Sequence, residues 1–178
     1  LKAKYEETFV VGNIGDPYTS RVLEMTEDSV TVAEVSSFQL ETIMDFRPNV
    51  SAILNITPDH LNRHGTMENY TRIKECITLN QTEDDSVVLN YDDPVLREFG
   101  QDPDLKPKVT WFSSREKLAD GFCMSGDNIV YCQKGRETIL VNVRDMKLLG
   151  RHNYENVMAA AAIGFLMGVA LADIGRVA

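Results

Sequence analysis

The sequence has little of what membranes or nucleic acids select for. None of its 178 residues fall in a run approaching the roughly twenty apolar positions that span a bilayer, and the N-terminus lacks the basic-then-apolar order of a secretory leader. The cytoplasm is the expected compartment, with no membrane as partner. Lys and Arg form no run, and the formal net charge is −9, so a general nucleic-acid surface is not expected, because counterion release needs clustered cations. Acidity does not forbid a nucleotide site, since backbone amides and a bound Mg²⁺ can make a local positive pocket. Cysteine is also scarce, with three in the chain. Two of them, Cys123 and Cys132, flank a predicted hairpin whose turn lies in Gly126-Asp127-Asn128, and they face each other if that turn centres on Asp127-Asn128. Two reduced thiols are expected there rather than a disulfide. Cys76 has no nearby His or metal-type spacing and reads as part of a helix face. Internal repeats and low-complexity segments are absent too.

What is present is ordinary globular material, 43% hydrophobic and 25% charged, at a length that suits one domain. Val30-Thr31-Val32-Ala33 reads as a buried strand, so Glu34 sits at its C-terminal end, where ligands bind in open α/β sheets. A second apolar run, Val50 to Leu54, leads into Asn55-Ile56-Thr57-Pro58-Asp59-His60, and Pro58 cannot extend a central strand, so Asp59 and His60 leave the sheet on the same edge as Glu34. Between them Phe38, Leu40, Ile43, Met44 and Phe46 recur near the helical period, with Ser36 or Ser37 as cap, which predicts a βαβ unit. The alternation continues: a strand at Phe9-Val10-Val11, a short helix at Tyr18 to Met25, a helix whose face carries Met67, Tyr70, Ile73 and Ile77, a strand at Ser86 to Asn90, a short helix at Asp93 to Phe99 and a strand at Val109 to Phe112. Residues 101–108, with Pro103 and Pro107, are the best loop candidate. The fold class expected is α/β, doubly wound around a mostly parallel sheet. Short antiparallel strands at Gly121 to Ser125, Asn128 to Gln133 and Thr138 to Val143 make a small appended β-element over about 120–145, and a closing helix over about 153–170 opens at Asn153 as candidate cap.

Each candidate site residue has a plain reading beside the chemical one. Glu34 is a metal ligand or a solvated strand-end acid, and His60 a ligand or a loop histidine making an ordinary hydrogen bond. Lys74 lies beside the apolar face of its helix, where most lysines are solvated. Asn13 and Ser36 are polar groups at strand ends that could hold a substrate or serve routine turn chemistry.

Taken together, Gly12-Asn13-Ile14-Gly15, Glu34-Val35-Ser36-Ser37-Phe38-Gln39-Leu40, Asn55 to Leu61, Lys74 and Gly150 to Asn156 resemble the Mur ligases, ATP-dependent enzymes that add amino acids to the peptidoglycan precursor. The Ser-Ser-Phe-Gln-Leu spelling is most like the D-glutamate-adding branch. The resemblance spans residues 1–178 but only the family's central domain, and not all of it. That domain begins with a P-loop, and this chain has no Gly-Lys pair, so it reads as a fragment. The resemblance implies ATP, UDP-N-acetylmuramoyl-L-alanine and D-glutamate as ligands of a monomeric parent enzyme, with two Mg²⁺ ions. It implies that Glu34 binds the metal shared with the ATP phosphates, that His60 helps bind the second near the substrate carboxylate, and that Lys74 carries a carbamate that ligates metal. Asn13 and Ser36 would hold the substrate, and Asn156 would read the adenine edge. Tyr70 packs over the site or in the core. The usual Asp-His-Leu-Asp-x-His motif has Asn62 in place of its second acid here, which keeps shape and loses charge, and His64 is kept as a further candidate.

Three rivals remain at this point. His60-Leu61-Asn62-Arg63-His64 could hold zinc on one helical face, but it lacks the zinc-protease glutamate and Pro58 and Gly65 interrupt it. Folylpolyglutamate synthetases and the other amino-acid-adding ligases share the Asp-His region, and the Ser-Ser-Phe-Gln-Leu segment argues against them. A chain without a P-loop could also be a non-catalytic binding module. The isolated 178-residue polypeptide is expected to have no ligase activity; ADP release that depends on both substrates would refute this.

Overall fold

The computed structural model describes residues 1–148 and 150–177. The first unit is small. Strand β1 (Thr8–Gly12) leads through a one-turn helix α1 (Tyr18–Arg21) and a 3-10 turn (Val22–Glu24) to β2 (Val30–Glu34), and the two strands pair in parallel with Gly12 opposite Glu34. Gly12 has φ +133, and a Cβ there would drive into the Glu34 backbone, so glycine is what lets the chain turn away beside the acid. Helix α2 follows, and it is a single turn, Ser37–Leu40. The helical spacing predicted a longer element through Phe46. In the structure Ser36 closes a capping box with Gln39, after which the chain turns and runs irregularly to the next strand, leaving Met44 exposed and Phe46 partly so.

The main sheet has six strands in sequential order: β3 (Val50–Ile53), β4 (Ser86–Asn90), β5 (Lys108–Ser113), β6 (Gly121–Ser125), β7 (Asn128–Gln133) and β8 (Arg136–Asn142). The first four run parallel and the last three form the antiparallel element, as the turn chemistry predicted. The expected βαβ unit is corrected here. Among the described residues β2 pairs only with β1 and β3 only with β4, so the Glu34 strand and the Asp59 strand belong to separate sheets. Both are edge strands with one hydrogen-bonding side unused.

All five residues of β4 are buried, as a parallel strand covered on both faces requires. One face packs Val88, Phe112, Phe122 and Ile129 against α6 (Arg151–Leu166), whose Met158, Ala159, Ala161 and Ala162 are small or pliable enough to let the helix lie close. The other packs Ile53, Ile56, Val87 and Leu89 with Leu96 of α5 (Pro94–Phe99) and Met67 of α4 (Met67–Glu75). Between β3 and α4 lies the one-turn α3 (Leu61–His64). The closing helix is split: α6 starts at Arg151 behind Gly150, not at Asn153, and ends at Leu166, where Gly168 turns the chain at φ +78 into α7 (Leu171–Val177).

The β6–β7 turn centres on Gly126-Asp127, one residue earlier than expected, because Gly126 supplies the positive φ that a two-residue hairpin needs at its first turn position. Cys123 and Cys132 are therefore diagonal rather than opposite, yet their buried sulfurs approach to 3.7 Å and remain free thiols. Burial first, then the neighbouring sulfur, pushes the Cys132 thiol up to about 12, which makes it inert.

Asp85, buried before β4, accepts from the Arg47 Nε at 2.7 Å and the Thr82 amide at 2.8 Å. The Arg47 bond is the main cause holding its carboxyl below the ordinary value. The unfolded chain then binds this proton more readily, so the pair stabilises fully above the ordinary aspartate range, near pH 4, and the contribution is lost as pH falls toward the lower folded value. In the intact protein, Asp85→Asn is expected to lower the urea midpoint at neutral pH and to flatten its fall below about pH 4; an unchanged acid limb would contradict this.

Candidate active site at the strand ends

Four elements deliver the candidate residues to the C-terminal side of the strands. Glu34 ends β2, and its backbone carbonyl accepts the Asn13 amide at 2.8 Å, fixing the Asn13 loop against it. The Glu34 carboxylate is exposed and makes no hydrogen bond or ion pair to the described residues. It lines an open cavity of about 200 Å³ with Gly12, Tyr18, Ala33, Val35, Gln39, Ile43 and Phe46.

Ser36 is committed to its own turn. Its hydroxyl accepts the Gln39 amide at 3.4 Å while its own backbone amide donates to Gln39 Oε1 at 2.9 Å, the two-way capping expected of Ser at a helix start with Gln three residues on, and the hydroxyl also donates to Gln39 Oε1 at 3.0 Å.

The segment after β3 has left the sheet, so its backbone groups need other partners. Three side chains supply them. Asn90 Nδ2, at the end of β4, donates to the Leu54 carbonyl at 3.1 Å; Lys74 Nζ, on α4, donates to the Asn55 carbonyl at 3.1 Å; and Asp93 Oδ2 accepts the Ile56 amide at 2.7 Å while Oδ1 caps α5. Asn90 and Asp93 were not singled out by sequence reasoning. The Asp-Pro pair at 93–94 is a helix-start signal, and nothing local says that the same carboxylate reaches a strand 37 positions away.

Beyond Ile56 the chain climbs to His60, which sits in the left-handed region at φ 49, ψ 27. That conformation costs a non-glycine residue roughly 1–2 kcal/mol, and such strain collects at functional positions. Asp59 holds the turn, accepting the His60 amide at 2.8 Å with its carboxylate 3.3 Å from His60 Nε2. The half-exposed imidazole rests on Phe38 with ring centres 4.8 Å apart.

His64, four residues on, is buried. Its Nε2 lies 3.0 Å from the Ser37 hydroxyl and its Nδ1 3.2 Å from Glu41 Oε1, a contact too poorly aligned to count as a hydrogen bond. Glu41 is bridged by Arg63 at 2.6 Å, and that bond holds its carboxyl below the usual range. Among the described residues no three His, Cys, Asp or Glu side chains come together around one point.

Lys74 Nζ also lies 5.2 Å over the Tyr70 ring, and Tyr70 itself is buried between Lys74 and His64. Asn156 is exposed on the second turn of α6, with its amide unbonded among the described residues. Its neighbour Glu155 accepts the Ser114 hydroxyl at 2.6 Å, and the backbone amide of that serine donates to Asp92 at 2.8 Å, tying α6 to the ends of β4 and β5.

The Glu34 carboxylate suits Mg²⁺ better than a softer ion. Glu34 offers an unpartnered hard oxygen, and Mg²⁺ takes one or two protein carboxylates, with water and phosphate completing its shell. The Glu34 carboxylate fits such an ion, whereas the His60 imidazole is a nitrogen donor that softer metals take more readily, and Lys74 as a bare ammonium holds the Asn55 carbonyl.

Residues 2–164 match the family model described as the Mur ligase middle domain. The chain is 54% identical over 169 residues to the UDP-N-acetylmuramoylalanine--D-glutamate ligase of Lachnospira eligens, covering 95% of this chain and 37% of that protein. The enzyme of the same name from Lachnoclostridium phytofermentans is 51% identical, with the same coverage. The chain thus spans a little over a third of the length of the curated relatives it matches. Among solved structures, a UDP-N-acetylmuramate:L-alanyl-gamma-D-glutamyl-meso-diaminopimelate ligase from Neisseria meningitides superposes with TM-score 0.64 at 16% identity, over 98% of this chain and 65% of that one. MurF from Acinetobacter baumannii gives 0.63 at 16%, over 98% and 45%. At such identity these two speak for the fold alone, and they agree with the α/β class read from the sequence.

The strain at His60 is testable without any assay of activity. His60→Gly in the intact protein is expected to leave the unfolding free energy unchanged or raise it by up to about 1 kcal/mol, whereas His60→Val should lower it by about 1–2 kcal/mol or more; equal effects of the two substitutions in thermal unfolding would remove the strain from the account.

Proposed function

The chain belongs to the Mur ligase family, whose middle domain it matches, and from that premise we propose that it is the ATP-handling part of a ligase that joins D-glutamate to UDP-N-acetylmuramoyl-L-alanine. The observation that carries this reading is the identity to the D-glutamate ligases, together with the Ser-Ser-Phe-Gln-Leu turn behind Glu34. The split sheet supports the fragment reading. β2 and β3 each have one unpaired side, and Val10 and Val32, partners across β1 and β2, are exposed, so the site lacks covering structure that a longer protein supplies. The parent enzyme is read as cytoplasmic and monomeric; no helix among the described residues is long and apolar enough to cross a membrane.

In this reaction ATP phosphorylates the alanyl carboxylate, the amine of D-glutamate attacks the acyl phosphate carbon, and phosphate leaves. Negative charge moves among crowded oxygens throughout, so the protein's task is to position and neutralise rather than to supply a nucleophile. Glu34 and His60 would hold the two Mg²⁺ ions, which when bound supply that neutralising charge. Glu34 is suited by its unpartnered carboxylate at the cavity mouth. His60 is suited by its half-exposed ring, which is aimed by its fixed left-handed backbone and by Phe38.

Lys74 has two parts in this scheme. Its amine holds the Asn55 carbonyl and so the whole approach to His60. As a neutral amine it can also add CO₂, giving a carbamate and releasing a proton; one N–H remains for Asn55 and the new carboxylate turns a cation into an anionic ligand. Asn13 would orient the substrate through its exposed amide beside Glu34. Ser36 would do so by turning its O–H from Gln39 to a substrate oxygen. Asn156 can donate to N7 and accept from N6 of adenine at once, and its amide is free to do so.

The intact parent protein, supplied with ATP, Mg²⁺ and UDP-N-acetylmuramoyl-L-alanine, is expected to release ADP with D-glutamate and not with L-lysine. Glu34→Ala and Lys74→Ala are each expected to lower kcat by about 100-fold or more. Equal turnover with L-lysine would overturn the amino-acid assignment, and full activity of both variants would overturn the site.

A further inference from the structure

A continuous row of side chains connects the two ends of the candidate site. The His60 ring lies 4.8 Å from Phe38, Phe38 stacks on His64 at 5.5 Å with planes 30° apart, His64 lies 5.3 Å from Tyr70, and Lys74 Nζ sits 5.2 Å over Tyr70. The row crosses three elements: Phe38 is on α2, His64 ends α3, and Tyr70 and Lys74 are on α4. Its middle member is the most constrained. The His64 side chain is fully buried, and a buried imidazole is costly unless its nitrogens are satisfied. Both nitrogens face α2, Nε2 toward the Ser37 hydroxyl and Nδ1 toward Glu41. The Ser37 hydroxyl bonds Nε2 at 3.0 Å, while Nδ1 has only the poorly aligned approach to Glu41. Arg63 adds a second tie, bridging Glu41 and lying 5.1 Å over the Phe38 ring, while Asn69 of α4 donates to the His64 carbonyl at 2.9 Å.

We propose that His64 is a positioning residue, the centre of a ring brace with Phe38 and Tyr70 that sets the His60 imidazole relative to the Lys74 amine. The brace rests on the reading above that both groups serve one metal-dependent site. It explains why the Ser-Ser-Phe-Gln turn and the Asp-His turn, which come from strands in separate sheets, keep a fixed relation: α2 and α3 are joined through His64, not through the sheet. It also assigns Phe38 its task. Phe38 touches the His60 ring on one side and the His64 ring on the other, and it is the contact through which the brace reaches His60.

The experiment compares the intact parent ligase with His64→Ala, His64→Phe and Phe38→Leu, reading kcat, the ATP KM, the Mg²⁺ concentration at half-maximal rate and the metal-free crystal structures. For His64→Ala and Phe38→Leu the Mg²⁺ requirement should rise about tenfold or more, as when a group orienting a metal ligand is lost, with ATP KM within about twofold. His64→Phe, which keeps a ring, should recover most of the loss. Phe38→Leu is half-exposed and serves where His64→Ala does not fold. Crystals of the metal-free variants should show the His60 ring turned from its place. An unchanged Mg²⁺ requirement in Phe38→Leu, or His64→Phe no better than His64→Ala, overturns the brace. If the wild-type parent shows no D-glutamate-dependent ADP release, the ligase reading fails by itself, and the crystal structures still decide the brace: His60 unmoved in both variants would refute it.

Discussion

The site depends on one constraint, that a strand leaving a parallel sheet must satisfy its backbone elsewhere. Residues 54–56 meet it with side chains from three elements, Asn90, Lys74 and Asp93. Each such bond adds about 1 kcal/mol net; the Asn90 and Asp93 bonds are part-buried and the Lys74 bond is exposed. The path to His60 is thereby tied at successive residues, which is what lets the chain carry a left-handed histidine at its end. A looser segment would relax that backbone and lose the aim of the ring.

The same constraint gives Lys74 a double meaning. As an ammonium it is a structural donor, one of the three ties. In the proposed chemistry it becomes a ligand without leaving that tie, because a carbamate keeps one N–H. The functional and structural readings of the lysine thus coexist at one atom. For Ser36 the two readings compete, since its hydroxyl is already spent on Gln39 in both directions.

Much of this was legible in the sequence for physical reasons. Strand ends were readable because the apolar run Val50 to Leu54 leads to Pro58, which cannot extend a central strand, and the first antiparallel hairpin because its turn needs a residue tolerant of positive φ, here Gly126. The placement of Glu34, His60 and Lys74 at strand ends or on the helix behind them followed from those boundaries. What was not legible was long-range. The apolar period from Phe38 to Phe46 suggested a helix, but these side chains do not share one packed face: Leu40 is buried, Phe38 packs on His60 and His64, Ile43 and Phe46 line a cavity and Met44 faces solvent, and the helix stops after a turn. The division into two sheets was hidden because strand pairing is set by partners far along the chain. His64 looked like a doubtful ligand, and its burial between α2 and α4 shows only in three dimensions.

The account's central claim is that Glu34, His60 and Lys74 face one nucleotide and metal site at the strand ends. It is tested most directly by a crystal structure of the intact parent protein with Mn²⁺ and a non-hydrolysable ATP analogue, using the anomalous signal to locate the metal. The account predicts metal peaks beside Glu34 and beside His60, with carboxylate density continuous with the Lys74 amine. Bound nucleotide with its metal away from Glu34, or bare amine density at Lys74 with metal present, would contradict it.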